Sequence, residues 1–154
     1  MNKVIDSLIH FLNNAIPFDF HTDPLVLRIG MEADNLRWQS FARQDGNGRF
    51  VMVSKVPVQT GRNQEQSCAE LLARINRRLD FGHFEMYHGQ DILGFRTVIP
   101  LACDAVCHAD LIEKAFEAHA TVVASFLPTF EAVFAADKPP VEALSEEFSS
   151  VSWV

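Results

Sequence analysis

A chain of 154 residues with 20 acidic and 13 basic side chains has a formal net charge of −7. That charge excludes electrostatic binding to nucleic acid or anionic membranes, because both need clustered Lys and Arg to displace counterions. With 48% hydrophobic residues and 13 Phe, one domain of this length buries roughly 70% of its unfolded surface, so disorder throughout is excluded too.

Asn2 to Ala15 reads as an amphipathic helix in which Val4, Ile5, Leu8, Ile9, Leu12 and Ala15 share a face, Phe11 lies off it, and Asn13, Asn14 and Pro17 end it. Asp6 and His10 interrupt the apolar run that a leader peptide needs, and no stretch approaches the ~20 apolar residues of a membrane span. Three Cys, an odd number, fit reduced thiols better than a disulfide framework, so a cytoplasmic location is expected. The linker Phe18-Asp19-Phe20 is unusually aromatic; its rings either tuck under the sheet or face a partner. From Leu25 the period is two, with Leu25, Leu27, Ile29 and Met31 opposing Val26, Arg28 and Gly30. Glu32 to Asn35 form a turn, and Leu36, Trp38, Ser40 and Ala42 then oppose Arg37, Gln39, Phe41 and Arg43. Asp45-Gly46-Asn47-Gly48 is a hairpin loop of residues that accept positive φ. The strand Arg49 to Val56 is apolar on both faces, which predicts cover from the chain's own helices and from a second subunit.

After the polar stretch Pro57 to Gln66 comes a helix with Cys68, Leu71, Leu72, Ile75 and Leu79 on one stripe. Ser67 and Glu70 have capping-box spacing at its start, the arginines gather near its end, and Phe81-Gly82 stops it. A hairpin follows: Phe84 and Met86 oppose His83, Glu85 and Tyr87, Gly89-Gln90-Asp91 turns, and Leu93, Phe95, Thr97 and Ile99 continue as far as Pro100. The last region, Ala105 to Ala136, carries a stripe of Ile112, Phe116, His119, Val123, Phe126 and Phe130. Uninterrupted, it would be nearly 50 Å long, so at Pro128 a kink or two helices meeting near Leu127 are expected. A short helix around Glu142 to Phe148 closes a single domain, 1–148, with a tail at 149–154.

Catalytic signals are weak. His83-Phe84-Glu85 followed by Pro100, Cys103 and Cys107 superficially resembles the ligand pattern of zinc deaminases, but the Pro is early, three residues separate the Cys pair and His83 is on a strand. Cys103, Cys107 and His108 share a helical face, where packing as small buried hydrophobes outranks metal binding. His119, with no acidic residue four positions away, reads as a satisfied buried histidine, and a subunit interface is the sharper alternative. His83, Glu85 and Tyr87 share a strand face that reads as solvated surface. Phosphate loops, nucleophile elbows and H-E-x-x-H are absent, so no catalytic residue, metal or cofactor is expected.

Three motifs in order, Ala69-Glu70-Leu71-Leu72-Ala73-Arg74-Ile75-Asn76, Phe81-Gly82-His83-Phe84-Glu85, and Phe95-Arg96-Thr97 with Ile99-Pro100, resemble the YbjN family of bacterial sensory transduction regulators. The resemblance runs from about Pro17 to Leu144. It implies an α+β fold in the order α-βββ-α-ββ-α, like that of type III secretion chaperones, which are homodimers holding an extended client segment without nucleotide. It brings no catalytic residues, and the longer C-terminal helical region and the ending Ser152-Trp153-Val154 depart from it. The resulting expectation is a non-enzymatic, homodimeric, protein-binding domain, chaperone-like or a regulatory adaptor, with more apolar surface than one copy hides. Phe18, Phe20, Phe116, Val123, Phe126 and Phe130 are the candidate dimer or partner contacts. The alternatives are a small-effector-binding regulator of stress or motility and an unrecognised enzyme using His83, Glu85 and Tyr87.

Overall fold

The computed structural model describes residues 3–15, 20–23, 26–87, 92–101 and 108–148. The elements are α1 (Lys3–Ala15), β1 (Phe20–Asp23), β2 (Val26–Ala33), β3 (Leu36–Gln44), β4 (Phe50–Lys55), α2 (Glu65–Asn76), β5 (His83–Tyr87), β6 (Ile92–Ile99), α3 (His108–Phe134) and α4 (Pro140–Phe148). The class is α+β, as expected, with one strand more than α-βββ-α-ββ-α. Phe20, expected in a linker, opens that extra strand, where it sits opposite Ile29 of β2. Phe-His-Thr-Asp has no strand period of its own, so its pairing is a tertiary decision.

The sheet is antiparallel in the order β1-β2-β3-β4-β6-β5. The β2–β3 turn is tighter than expected: Asp34 and Asn35 take φ of 49° and 66°, so Glu32 and Ala33 stay in the ladder opposite Arg37 and Leu36. In the next hairpin Gly48 takes φ 75°, and the Asp45 carboxylate accepts the backbone N–H groups of Asn47 and Arg49, both at 2.9 Å. The Arg49 guanidinium and these N–H bonds hold the Asp45 carboxyl below its ordinary range.

One row of side chains crosses the sheet from Ile29 through Ser40, Ser54 and Phe95 to Phe84, and all five are buried. The helices pack on this face. His119 of α3 reaches Ser54 and Thr97, and α1 lies against α3, with Phe11 edge-on to Phe116 at 5.7 Å. Phe11, off the stripe in sequence, therefore joins the core, because it faces α3 while Leu8 and Leu12 are fully buried beside it. Cys68 of α2 donates to Met86 of β5, and burial pushes its thiol up to about 11, so it packs as a small hydrophobe. Ala143 and Leu144 of α4 close the layer over α2 and α3.

Two helices depart from expectation. α2 begins at Glu65, two residues before the expected cap at Ser67, and ends at Asn76, so Leu79 and the expected stop at Phe81-Gly82 lie beyond it. Gln64 fixes that start by bridging: its Oε1 accepts Gly61 N–H, and its Nε2 donates to Phe134 O at the end of α3 and to Asp137 Oδ1 just past it. α3 runs as one helix through Pro128, about 40 Å long, so of the expected kink or pair of helices the pair does not form. The Pro128 ring is on the exposed side, clear of the core, while Phe126, Leu127 and Phe130 on the buried side keep the turns on either side in place.

After α2, Gly82 has φ +72°, and a Cβ there would lie 2.5 Å from the Phe95 ring and 2.8 Å from Arg96 O, so no other residue fits. Asn76 then closes the sheet edge: Nδ2 donates to Phe84 O at 2.8 Å and Oδ1 accepts Phe84 N–H at 2.7 Å. The amide occupies two of the backbone groups that an added strand would use, which hinders edge pairing on β5.

Candidate functional surface

The stripe expected to meet a partner is core. Phe116, Val123, Phe126 and Phe130 are 4%, 0%, 8% and 0% exposed, and Phe84 packs against both Phe126 and Phe130, with centroids 5.7 and 5.0 Å away. A single sheet face wide enough for four helices covers all of α3's apolar side, so that stripe offers no contact surface. Phe18 lies outside the described residues, as do Cys103, Cys107, the turn 89–91 and the tail 149–154; Phe20 is in β1. Among the described residues only Val98, Leu111 and Val141 are exposed large hydrophobics.

The sheet's other face meets no described helix. Register places Arg28, Phe41, Val53, Arg96 and His83 in one row across it, Arg43, Val51 and Val98 in a second, and Gln39, Lys55, Gly94 and Glu85 in a third. Its centre is apolar: Val51 is buried, Phe41 and Val53 are half-buried, and Val98 is exposed. Cations surround it. Of the acids on this face, Glu32 pairs with Arg37 at 3.1 Å and Glu85 with Arg96 at 3.0 Å, while Arg28, Arg43 and Lys55 have no acidic partner among the described residues. On a chain of net charge −7, that is a local reversal of sign.

At the β5 end, the face organises around Glu85. Tyr87 donates its hydroxyl and Arg96 its Nε–H to Glu85 Oε1, and His83 Nε2 lies 3.2 Å from Oε2. Burial alone would raise the Glu85 carboxyl, but the three hydrogen bonds and the Arg96 charge hold it below the carboxylate range. Burial and the Glu85 carboxylate push the Tyr87 phenol up, and Glu85 raises Arg96. The Tyr87 ring lies over Gly94, where a Cβ would come within 2.8 Å of it. The structure thus gathers the three residues weighed as an enzyme site and adds Arg96. A carboxylate locked ionised and a phenol locked protonated exchange no proton near neutral pH, so the cluster is a fixed polar surface.

A second His-centred cluster lies inside. Ser54 Oγ is 2.7 Å from His119 Nε2 and 2.6 Å from Ser40 Oγ, and Thr97 Oγ1 is 3.0 Å from His119 Nδ1. The Ser–His distance suits nucleophile activation, but all four residues are at most 2% exposed, and the fourth group is a threonine, not a carboxylate. Burial pushes the His119 pKa down to about 3, so it is neutral, the satisfied buried histidine of the sequence reading. No group of metal-ligating side chains assembles among the described residues, and no described helix is long and apolar enough to cross a membrane.

Comparison with known proteins adds the family. The YbjN model, "Putative bacterial sensory transduction regulator", matches residues 13–132. The chain belongs to the YbjN family. Its fold is similar to the crystal structure of YbjN, "a putative transcription regulator from E. coli", with a TM-score of 0.53 at 11% identity over 79% of this chain and 90% of that one. No curated protein matches. Membership supports a regulatory or binding role and describes no enzyme.

Sequence reasoning missed the open sheet face as a whole. Its signal was present in the out-facing residues of β2 and β3, where Arg28, Arg43 and Phe41 alternate with core positions, but no strand order tells which strands lie side by side.

Proposed function

We propose that this YbjN-family chain is a non-enzymatic regulatory adaptor that binds an acidic polypeptide segment on the open face of its sheet. The observation that carries the reading is the pairing of an apolar centre, Phe41, Val53 and Val98, with Arg28 and Arg43, which have no acidic partner among the described residues. Apolar area supplies affinity, and the cations select acidic partners and steer their approach. A second copy docked by the same face would set those cations against their own images, which is repulsive.

The test is selection of displayed 12-residue peptides on the purified protein. Peptides enriched in Asp and Glu beside aromatic or branched residues are expected, with binding lost in Arg28→Glu/Arg43→Glu and in Val98→Asp but kept in Leu111→Asp on α3. Selected peptides without acidic enrichment, or binding that survives the double substitution, would defeat the reading. Light scattering on the same samples reads the homodimer expected from the family resemblance. A dimer that the double substitution dissociates would make a second copy the occupant of this face.

A further inference from the structure

Where β4 ends and the chain leaves through Pro57, a cleft of ≈ 690 Å³ opens among β3, the start of β6 and the segment Val58 to Thr60. Strand register decides which side of the sheet it belongs to. Gln39 and Lys55 are cross-strand partners on the open face, Arg37 lies on that face opposite Glu32, and Ile92 shares it with its partner Tyr87. All four line the cleft. Of the other lining residues, Trp38 and Val56 alternate with these four and are buried on the helix side. The cleft is therefore a continuation of the open face and not an entrance to the core.

Along β4 this face runs, in steps of two residues, from Val53 beside Phe41 to Lys55 and then to the cleft at Pro57. Each step is about 7 Å, because a strand rises about 3.4 Å per residue. Lys55 has no acidic partner among the described residues, whereas Arg37 is held by Glu32 at 3.1 Å. Past Lys55 the surface turns apolar again, with half-buried Val58 and Ile92 in the cleft. Apolar, cationic and apolar positions thus follow one another at the spacing with which an extended chain presents alternate side chains. A helix repeats about every 5.4 Å and falls out of step by the third position. An extended chain also leaves backbone N–H and C=O groups to be paired, and the amides of Gln39 and Gln59 at the cleft can both donate and accept.

We propose that the acidic segment lies extended along β4, with one apolar side chain on Phe41 and Val53, an acidic one against Lys55, and a second apolar one in the cleft against Val58 and Ile92. These three occupy alternate positions of the segment, giving the pattern apolar-x-acid-x-apolar. The inference rests on the polypeptide reading above and adds to it a spacing and a conformation, which Arg28, Arg43 and Val98 do not define.

Fluorescein-labelled 12-residue peptides, titrated with the protein and read by fluorescence anisotropy, test the spacing. All share one composition, Ser-rich with two Glu, and differ only in the order of their Phe, Asp and Val. The order Phe-Ser-Asp-Ser-Val should bind at least fivefold more tightly than Phe-Asp-Val-Ser-Ser or than an order that sets the three residues four apart, as on one helix face. Lys55 is exposed, so Lys55→Glu keeps the fold; it should weaken the alternating peptide at least tenfold and prefer a version with Lys in place of Asp. Changing the peptide's Val to Ser should lower its affinity for the unaltered protein but not for Val58→Ser. Equal binding of the three orders overturns the proposal, as does a Lys55→Glu protein that still prefers Asp to Lys. If binding is lost in Arg28→Glu/Arg43→Glu yet is indifferent to order, this proposal fails and the polypeptide reading stands. If neither these peptides nor any from the displayed selection bind, both fail.

Discussion

The two faces of the sheet each hold a histidine in a hydrogen-bonded cluster, and the contrast separates what folds this protein from what it can present. Inside, His119 lies among Ser40, Ser54 and Thr97, fully buried and neutral. Outside, His83 borders a partly wet Glu85–Arg96–Tyr87 cluster in which the Glu85 carboxylate and the Arg96 guanidinium form an ion pair and the Tyr87 hydroxyl donates to it. The inner groups carry no charge because helices exclude water from them, so their hydrogen bonds act on stability. Glu85 and Arg96 are charged because water and each other support the charge, so the outer cluster contributes little to stability and defines a surface.

The sharpest way to break this contrast is to put charge inside. Phe126→Asp should leave no soluble folded protein, because it removes a ring packed on Phe84 and buries a carboxylate; a folded, soluble variant by circular dichroism would return the stripe to the surface. Phe84→Ala should cost about 3–5 kcal/mol in urea unfolding, since that ring touches Phe95, Phe126 and Phe130.

Next comes pH. His119 has a pKa of about 3 folded, against roughly 6.5 unfolded, so the unfolded chain takes up the proton first. Its contribution is complete above about pH 6.5 and falls by up to about 1.4 kcal/mol per unit as the pH drops toward 3. Asp45 and Glu85, both lowered, act in the same direction but only in the carboxylate range further down. Urea midpoints between about pH 5 and 6.5 therefore isolate His119, and His119→Gln should flatten the slope there.

Smaller effects belong to the edge and the open face. Asn76→Ala should cost about 1–3 kcal/mol by unpairing Phe84 N–H and O, and should promote association through β5, read by light scattering at rising concentration. Glu85→Gln should change stability by less than about 1 kcal/mol, because its ion pair is partly wet. A larger loss would show that the outer cluster is structural after all.

Local features were legible because their causes are local. The periods of α1, β2, β3, β5 and β6 and the Asp45 to Gly48 loop all follow from neighbours a few residues apart. Features that depend on distant partners were not. The start of α2 is set by Gln64 reaching past α3, β1 exists only against β2, and Pro128 is tolerated because buried rings hold α3 in place. Trp38 read correctly as an inward strand residue, yet nothing near it in sequence shows that its buried N–H goes unpaired.

By itself the sequence determined the class, the family motifs and which residues are apolar, since composition and period fix how much must be buried and on which side of each element. Only the tertiary structure decided that every described helix shares one side of the sheet. That arrangement consumes the α3 stripe as core and leaves Arg28, Arg43 and Val98 facing outward, because burial is a property of what lies opposite a residue and not of the residue itself.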